Sequence, residues 1–151
     1  MWQTVFSAVN LIAIAGWIVL IFLPRRPLPL TAVLYLGVGL LCLVYSAGLV
    51  AILSGAVDAV GPADGAANFS TIEGVRAIFA SDGGVTIGWT HYLAFDLFTG
   101  LWIARDADAK GFSRLVQGPV LLATFLAGPL SLFVWLIVRE RRARKHGRMK
   151  V

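Results

Sequence analysis

Apolar residues along this chain fall into four long runs: Trp2–Leu23, Leu30–Leu53, Val85–Ile103 and Val116–Val138. Each holds about 19 to 24 residues, enough for a helix to cross a hydrocarbon layer of about 30 Å. Backbone groups in lipid have no water to bond, so such runs are expected to be helices. The pattern predicts an all-α membrane protein, a bundle of four transmembrane helices. Pro24, Pro27 and Pro29 punctuate the first connection, ending one helix and opening the next. A cleaved leader would need a basic start, a shorter apolar run and a small-residue cleavage site. The first run has none of these and ends in Leu23-Pro24-Arg25-Arg26-Pro27, so it reads as a retained helix.

Between the second and third runs lies the one sizeable polar segment, Ser54–Gly84. Its first half (Gly55, Asp58, Gly61, Pro62, Asp64, Gly65) reads as loop. Its second half has Ser70-Thr71-Ile72-Glu73 ahead of Val75, Ala77, Ile78 and Phe79. That spacing resembles a capping box and predicts a short amphipathic helix, which Asp82-Gly83-Gly84 should stop. The segment is either a connector shielding the bundle mouth or a lid over a ligand; the connector is the simpler account.

Composition sharpens this picture. The 151 residues are 58% hydrophobic and 14% charged, against roughly 25% charged in ordinary globular proteins. A soluble enzyme, a disordered chain and a disulfide-stapled domain are all excluded on that basis. Cys42 is the single cysteine. More telling is where the charges lie: of thirteen Lys and Arg and eight Asp and Glu, only Asp96 falls inside an apolar run.

Four crossings would put both termini on one side. Seven Lys and Arg in the tail 139–150, with Arg76, then face five on the other side: Arg25, Arg26, Arg105, Lys110 and Arg114. The positive-inside rule makes that eight-residue side, and so both termini, cytoplasmic. The tail would also meet anionic lipid headgroups; a nucleic-acid partner is not needed to explain it.

The third run carries the candidate chemistry. An ionisable side chain inside a span costs about 2.5 to 3.5 kcal/mol on insertion scales, so Asp96 is a functional-site hypothesis. At 100° per residue it shares a stripe with Trp89, Tyr92, Thr99 and Gly100, while His91 lies about 140° around the helix. Asn10, Tyr45, Ser46 and Gln117 are polar candidates on the other runs. The plain alternative is that these groups are interhelical hydrogen bonds, worth about 0.6 kcal/mol each. Several chemistries fail on residue supply. Zinc needs about four ligands, a retinal-type Schiff base needs a buried lysine, and a histidine-rich di-iron centre needs more than His91 and His146. Haem on His91 alone remains an open alternative. In the last run, Gln117-Gly118-Pro119 and Gly128-Pro129 predict a kink, since a mid-helix proline removes a donor.

These residues resemble a known family. Trp89, His91, Leu93-Ala94, Asp96-Leu97-Phe98 and Gly100 are followed by Ile103, Arg105-Asp106-Ala107, Arg114, Pro119 and Gly128-Pro129 with Leu130 and Leu132. Together they look like the ABA4-like family of small four-helix membrane proteins, chiefly over about residues 88–135. Ser131 departs from it, a glycine being expected after Gly-Pro. The plant members are tied to neoxanthin synthesis, so the resemblance implies carotenoid metabolism and a cofactor-independent isomerase that opens a carotenoid epoxide. Carried over, it implies Asp96 as acid and His91 as base, suitable types for that reaction. Trp89, Tyr92, Thr99, Asn10, Arg105 and Gln117 would then bind or orient a hydrophobic polyene entering from lipid. The tail arginines and alanine-rich loop suggest a bacterial inner-membrane protein. Two further classes stand beside the enzyme: a non-catalytic carotenoid- or haem-binding subunit, and a structural membrane protein, either of which could form an oligomer.

Overall fold

A computed structural model describes residues 1–61 and 67–148, with side chains through Glu140. The predicted loop residues Pro62, Asp64 and Gly65 lie outside the described residues, as do Met149, Lys150 and Val151 and the tail side chains from Arg141 on.

Every regular element among the described residues is helical. Helix α1 spans Trp2–Phe22. Helix α2 spans Pro27–Leu53, opening with proline in its first turn and widening into a π-helical stretch over Val33–Gly39. Helix α3 is the short Ile72–Ile78, α4 is Asp82–Ala109 and α5 is Arg114–Arg148. Three of these, α1, α2 and Arg114–Glu140 of α5, are long and apolar enough to cross a membrane. That is compatible with a membrane protein. The third expected crossing, α4, is diluted by Thr, His, Tyr and Asp yet is the most enclosed helix, burying Thr90, Leu93, Ala94, Asp96, Leu97 and Leu101.

Helix α4 is the centre of the molecule and packs on α1, α2 and α5. Small residues set the approach, as expected where lipid supplies no hydrophobic drive between helices. Leu97 of α4 fills a slot whose walls are Gly16 of α1 and Gly37 of α2, and a methyl group on either would press into it.

Two expectations about α3 and α4 change in detail. Thr71, not Ser70, caps α3, its Oγ1 accepting from the Gly74 amide at 3.0 Å. Asp82-Gly83-Gly84 does not stop that helix; it opens α4. Ser81 Oγ accepts from the Gly84 amide at 3.0 Å, and Asp82 adds negative charge in the first turn, where the helix dipole favours it. The loop supports the same end, the Asp82 and Gly83 amides donating to the carbonyls of Val60 and Ala59 at 2.9 and 2.8 Å.

The larger difference lies in α5. Backbone geometry breaks at Ala127 (φ −154°, ψ 70°), just before Gly128-Pro129. Ser131 Oγ is 2.9 Å from the Val120 carbonyl oxygen, although eleven residues of continuous helix would separate them by about 16 Å. Gln117, near the start of α5, donates to Asp108 and to the Phe112 carbonyl, both at 2.8 Å. Trp135, eighteen residues on, packs its ring on Phe112 and donates to Asp106 at 3.1 Å. The chain therefore goes in along residues 114–126, turns at Ala127–Pro129, and comes back along 128–139. What the pattern reads as a fourth crossing is a helical hairpin. Proline has no amide to offer and clashes with a preceding helical turn, so a Gly-Pro pair after a strained residue is a physical reason for reversal rather than a mild kink.

The hairpin also sets Trp2 and Arg139 at opposite ends of α4. Trp2 Nε1 donates to the Asp58 carbonyl at 2.9 Å, so the amino-terminal end sits with the 54–81 loop. Arg139 pairs with Asp106, at the opposite end of α4. There it joins Arg25, 3.4 Å from Asp108, and Arg114, which donates to the Leu23 carbonyl at 2.7 Å.

Candidate functional site

Asp96 lies near the middle of α4, at the depth where the α5 hairpin turns. It is 8% exposed, and its Oδ2 has no hydrogen-bond partner among the described residues. The carboxyl presses directly on Gly128: a methyl group there would overlap its oxygens, so only glycine lets the turn sit this close. Tyr92, one helical turn earlier, is the polar side chain that interacts with it. No cation pairs with Asp96 among the described residues. A buried carboxyl group without a hydrogen bond to one of its oxygens costs free energy, and its retention here calls for a chemical reason.

His91 is exposed and faces elsewhere, its ring 5.3 Å from Tyr45 of α2 and 4.6 Å from Phe95 by centroids. The fold thus does not bring the predicted acid and base together; they stand on different faces of α4, as the helical period requires. Phe95 continues into an apolar groove of about 420 Å³ between α4 and the π-helical part of α2, lined by Leu34, Tyr35, Val38, Cys42, Ala94 and Phe98. His91 touches that groove only through its contact with Phe95. As a haem site it offers one imidazole packed against two rings, and no group of three His, Cys, Asp or Glu suited to a metal occurs among the described residues.

The remaining candidates separate into three groups. Trp89 donates to Asn10 Oδ1 at 3.1 Å and stacks on Phe6 and Tyr92, making an aromatic seam between α1 and α4 that ends at Asp96's neighbour. Thr99 lines a second apolar groove, of about 370 Å³, with Phe98, Trp102, Leu132 and Leu136. Gln117 is buried and ties the α4–α5 connection, while Arg105 is exposed near the basic end.

One further residue carries more than its sequence signal suggested. Asp106, just beyond the apolar part of α4, accepts from Arg139 Nε and a terminal nitrogen at 2.8 Å each. It also accepts from Lys110 at 2.6 Å and Trp135 at 3.1 Å. The Arg139 guanidinium lies over the Trp102 ring, 5.4 Å from its centroid. These charge-assisted bonds hold the carboxyl at about 2, well below the ordinary carboxylate range, Arg139 being the largest cause. They clasp the returning arm of the hairpin to α4. The Asp106–Lys110 spacing of four was readable on a helix; Arg139 was not, because only the reversal delivers it.

Among curated proteins and among solved structures, nothing matches this chain. A family model described as ABA DEFICIENT 4-like matches residues 4–135, taking in α1, α2, α4 and the hairpin as far as Trp135. The chain belongs to the ABA4-like family.

Proposed function

We propose that this chain is an integral membrane protein of carotenoid metabolism, and that Asp96 is the acid of a carotenoid-epoxide isomerisation. The observation that carries this reading is the buried Asp96 carboxyl, with Oδ2 unpartnered, at the turn of the hairpin. Family membership supports the metabolic area, and the apolar grooves on both sides of Phe98 support a long hydrophobic ligand.

Opening an epoxide to an allenic alcohol breaks one ring carbon–oxygen bond and removes a proton from the carbon next to the released position. The epoxide oxygen gains a proton, so atoms balance and no redox change occurs. The two oxygens of one carboxyl can divide the work: one delivers its proton to the epoxide oxygen while the other takes the proton from carbon, regenerating the acid. Tyr92 is placed to orient that carboxyl. His91, on the other face, then acts on ligand binding rather than on the same proton transfer.

A second reading, non-catalytic pigment binding, is favoured by the apolar groove lined by Tyr35, Phe95 and Phe98. One experiment separates the two. Co-expression in a bacterium that makes an epoxy-carotenoid, followed by pigment chromatography, should give the allenic product with the native chain and with His91→Ala. Asp96→Asn should give none. Wild-type yield from Asp96→Asn would overturn the assignment, whereas unconverted pigment co-purifying with the protein would support the binding reading.

The charge distribution supports a bacterial inner-membrane placement with the Arg139 end cytoplasmic. Arg25, Arg26, Arg105, Lys110, Arg114 and Arg139 gather at that end, and the sequence after Arg139 adds Arg141, Arg142, Arg144, Lys145, Arg148 and Lys150. Among the described residues, Arg76 of α3 is the one Lys or Arg at the other end. Such an excess is attracted to anionic lipid headgroups.

A further inference from the structure

At the Arg139 end, Arg26, Arg105 and Arg114 are exposed, but Arg25 is not. It lies in the link between α1 and α2, and its side chain is only 9% exposed. Its Nε is buried without a hydrogen-bond partner among the described residues. Its one ion pair there, to Asp108, is stretched to 3.4 Å, and the other oxygen of that carboxyl accepts from Gln117 at 2.8 Å. Arg114 stands close enough to repel Arg25 and makes no ion pair among the described residues. Burial, the largest cause, pulls the Arg25 pKa below its ordinary value; Asp108 opposes that pull and Arg114 adds to it. One shared carboxylate thus faces two guanidiniums, one of them buried with an unused donor.

An apolar groove of about 360 Å³ lies between α1 and the first arm of the hairpin, lined by Ile14, Ile18 and Phe22 on one wall and Gly118, Leu122 and Phe125 on the other. Phe22 and Gly118 are its last residues toward the Arg139 end. Phe22 precedes Leu23, whose carbonyl accepts from Arg114 at 2.7 Å, and Gly118 follows Arg114 by about one helical turn. The mouth of the groove therefore carries a guanidinium, with Arg25 beside it. From Ile14 to Phe22 the groove follows about 12 Å of helix, most of one half of a hydrocarbon layer about 30 Å thick. Gly118 keeps it open: a methyl group there would meet no atom within 4 Å.

We infer that this groove and the Arg25–Arg114 pair bind one anionic phospholipid of the membrane, with an acyl chain along the groove and the phosphate on the two guanidiniums. Arginine forks match phosphate oxygens and bond them with charge assistance, which would give the buried Arg25 Nε an acceptor. Two guanidiniums against one carboxylate favour a headgroup with no cation of its own. A basic surface attracts anionic lipid in general; a slot one leaflet deep with a buried arginine at its mouth makes the binding one-to-one. The groove shares no lining residue with the two that flank Phe98, so failure of the isomerase reading leaves the lipid site standing.

The test uses the full chain in lipid-free detergent, with native mass spectrometry counting bound molecules. The probes are phosphatidylglycerol, phosphatidylcholine with the same acyl chains, and glycerol phosphate, which has no chains. The native protein should bind one phosphatidylglycerol about tenfold or more tighter than phosphatidylcholine, equivalent to about 1.4 kcal/mol, and glycerol phosphate should not displace it. Ile18→Trp and Leu122→Trp fill the groove from its two walls at half-exposed positions and change no charge, while Arg25→Gln removes the buried cation. Each should weaken phosphatidylglycerol binding by about tenfold or more. Lys150→Gln, one charge fewer in the tail, should leave it unchanged. If Arg25→Gln does not fold, the two groove variants decide. Equal affinity for the two lipids, native binding by the folded groove variants, or as large a loss from Lys150→Gln overturns the inference. Displacement by glycerol phosphate would mark a site for phosphate alone and overturn the lipid assignment.

Discussion

Ser131 Oγ donates to the Val120 carbonyl at 2.9 Å and accepts from Thr124 Oγ1 at 2.9 Å, which itself lies 2.8 Å from that carbonyl. The three groups join the two arms of the hairpin just above its turn. In the sequence Ser131 stands out only as a serine where the family resemblance led to a glycine; in the fold it binds one arm to the other. Ser131→Ala should lower stability by about 1 kcal/mol, two bonds at the typical membrane value of about 0.6 each. Adding Thr124→Ala should cost less than the sum of the singles, because both act on one carbonyl. Equal unfolding midpoints for Ser131→Ala and the native chain in detergent would remove this pair as the lock.

Asp106 makes the clasp at the other end of the hairpin sensitive to acid. Its carboxyl is held at about 2 in the folded chain, below the ordinary value of about 3.9. A depressed carboxylate contributes stability that is full above the unfolded value and is lost as pH falls through the folded one. The clasp should therefore be intact at neutral pH and weaken between about pH 4 and pH 2, with a loss on the order of 2 kcal/mol. Asp106→Asn should start with most of that loss and show a flatter profile over the same range. Thermal melts across pH 2 to 5 measure it, and parallel curves for variant and native chain would contradict it.

Sequence reading reached the helices and the central polar residue because both leave one-dimensional signals. Apolar runs mark helices whether or not they cross a membrane, and the helical period alone separates Asp96 from His91. The reversal left no comparable signal. Val116–Val138 has the same hydropathy as a crossing helix, and Gly128-Pro129 reads as a kink until Val120 and Ser131 are seen side by side. Arg139 was assigned to a tail for the same reason: its partner Asp106 lies thirty-three residues earlier, and no local period connects them. The positive-inside count is the most sensitive to this, since a different number of crossings divides the same arginines differently between two sides.

Asp96 separates a reacting group from a packing group by the sign of a stability change. Were it interhelical glue, Asp96→Ala would lose an interaction and weaken the fold. With Oδ2 unpartnered and Gly128 against the carboxyl, removing the group relieves a buried unsatisfied atom, whose cost is about 1 to 3 kcal/mol. Asp96→Ala should be at least as stable as the native chain while losing epoxide conversion, the pattern expected where function is maintained at the expense of stability. A variant both inactive and less stable by 1 kcal/mol or more would return Asp96 to a structural role.

Sidedness follows from the hairpin and can be measured without any ligand. If α1, α2 and α4 cross the membrane while 114–139 enters and leaves at one end, Met1 and Arg139 should fall on opposite sides. The basic cluster then lies with Arg139, and the positive-inside rule, ambiguous for four crossings, points strongly one way. The amino terminus, α3 and the acidic residues Asp58, Glu73 and Asp82 should be periplasmic. In a Cys42→Ser background, single cysteines at Gln3 and Phe69 should react with a membrane-impermeant maleimide in intact spheroplasts, whereas one at Lys110 should react only after lysis. A reporter active only in the cytoplasm should work when fused after residue 148 and fail when fused ahead of Met1. Labelling of Lys110→Cys before lysis would invert the orientation, and cytoplasmic activity of both fusions would restore an even number of crossings.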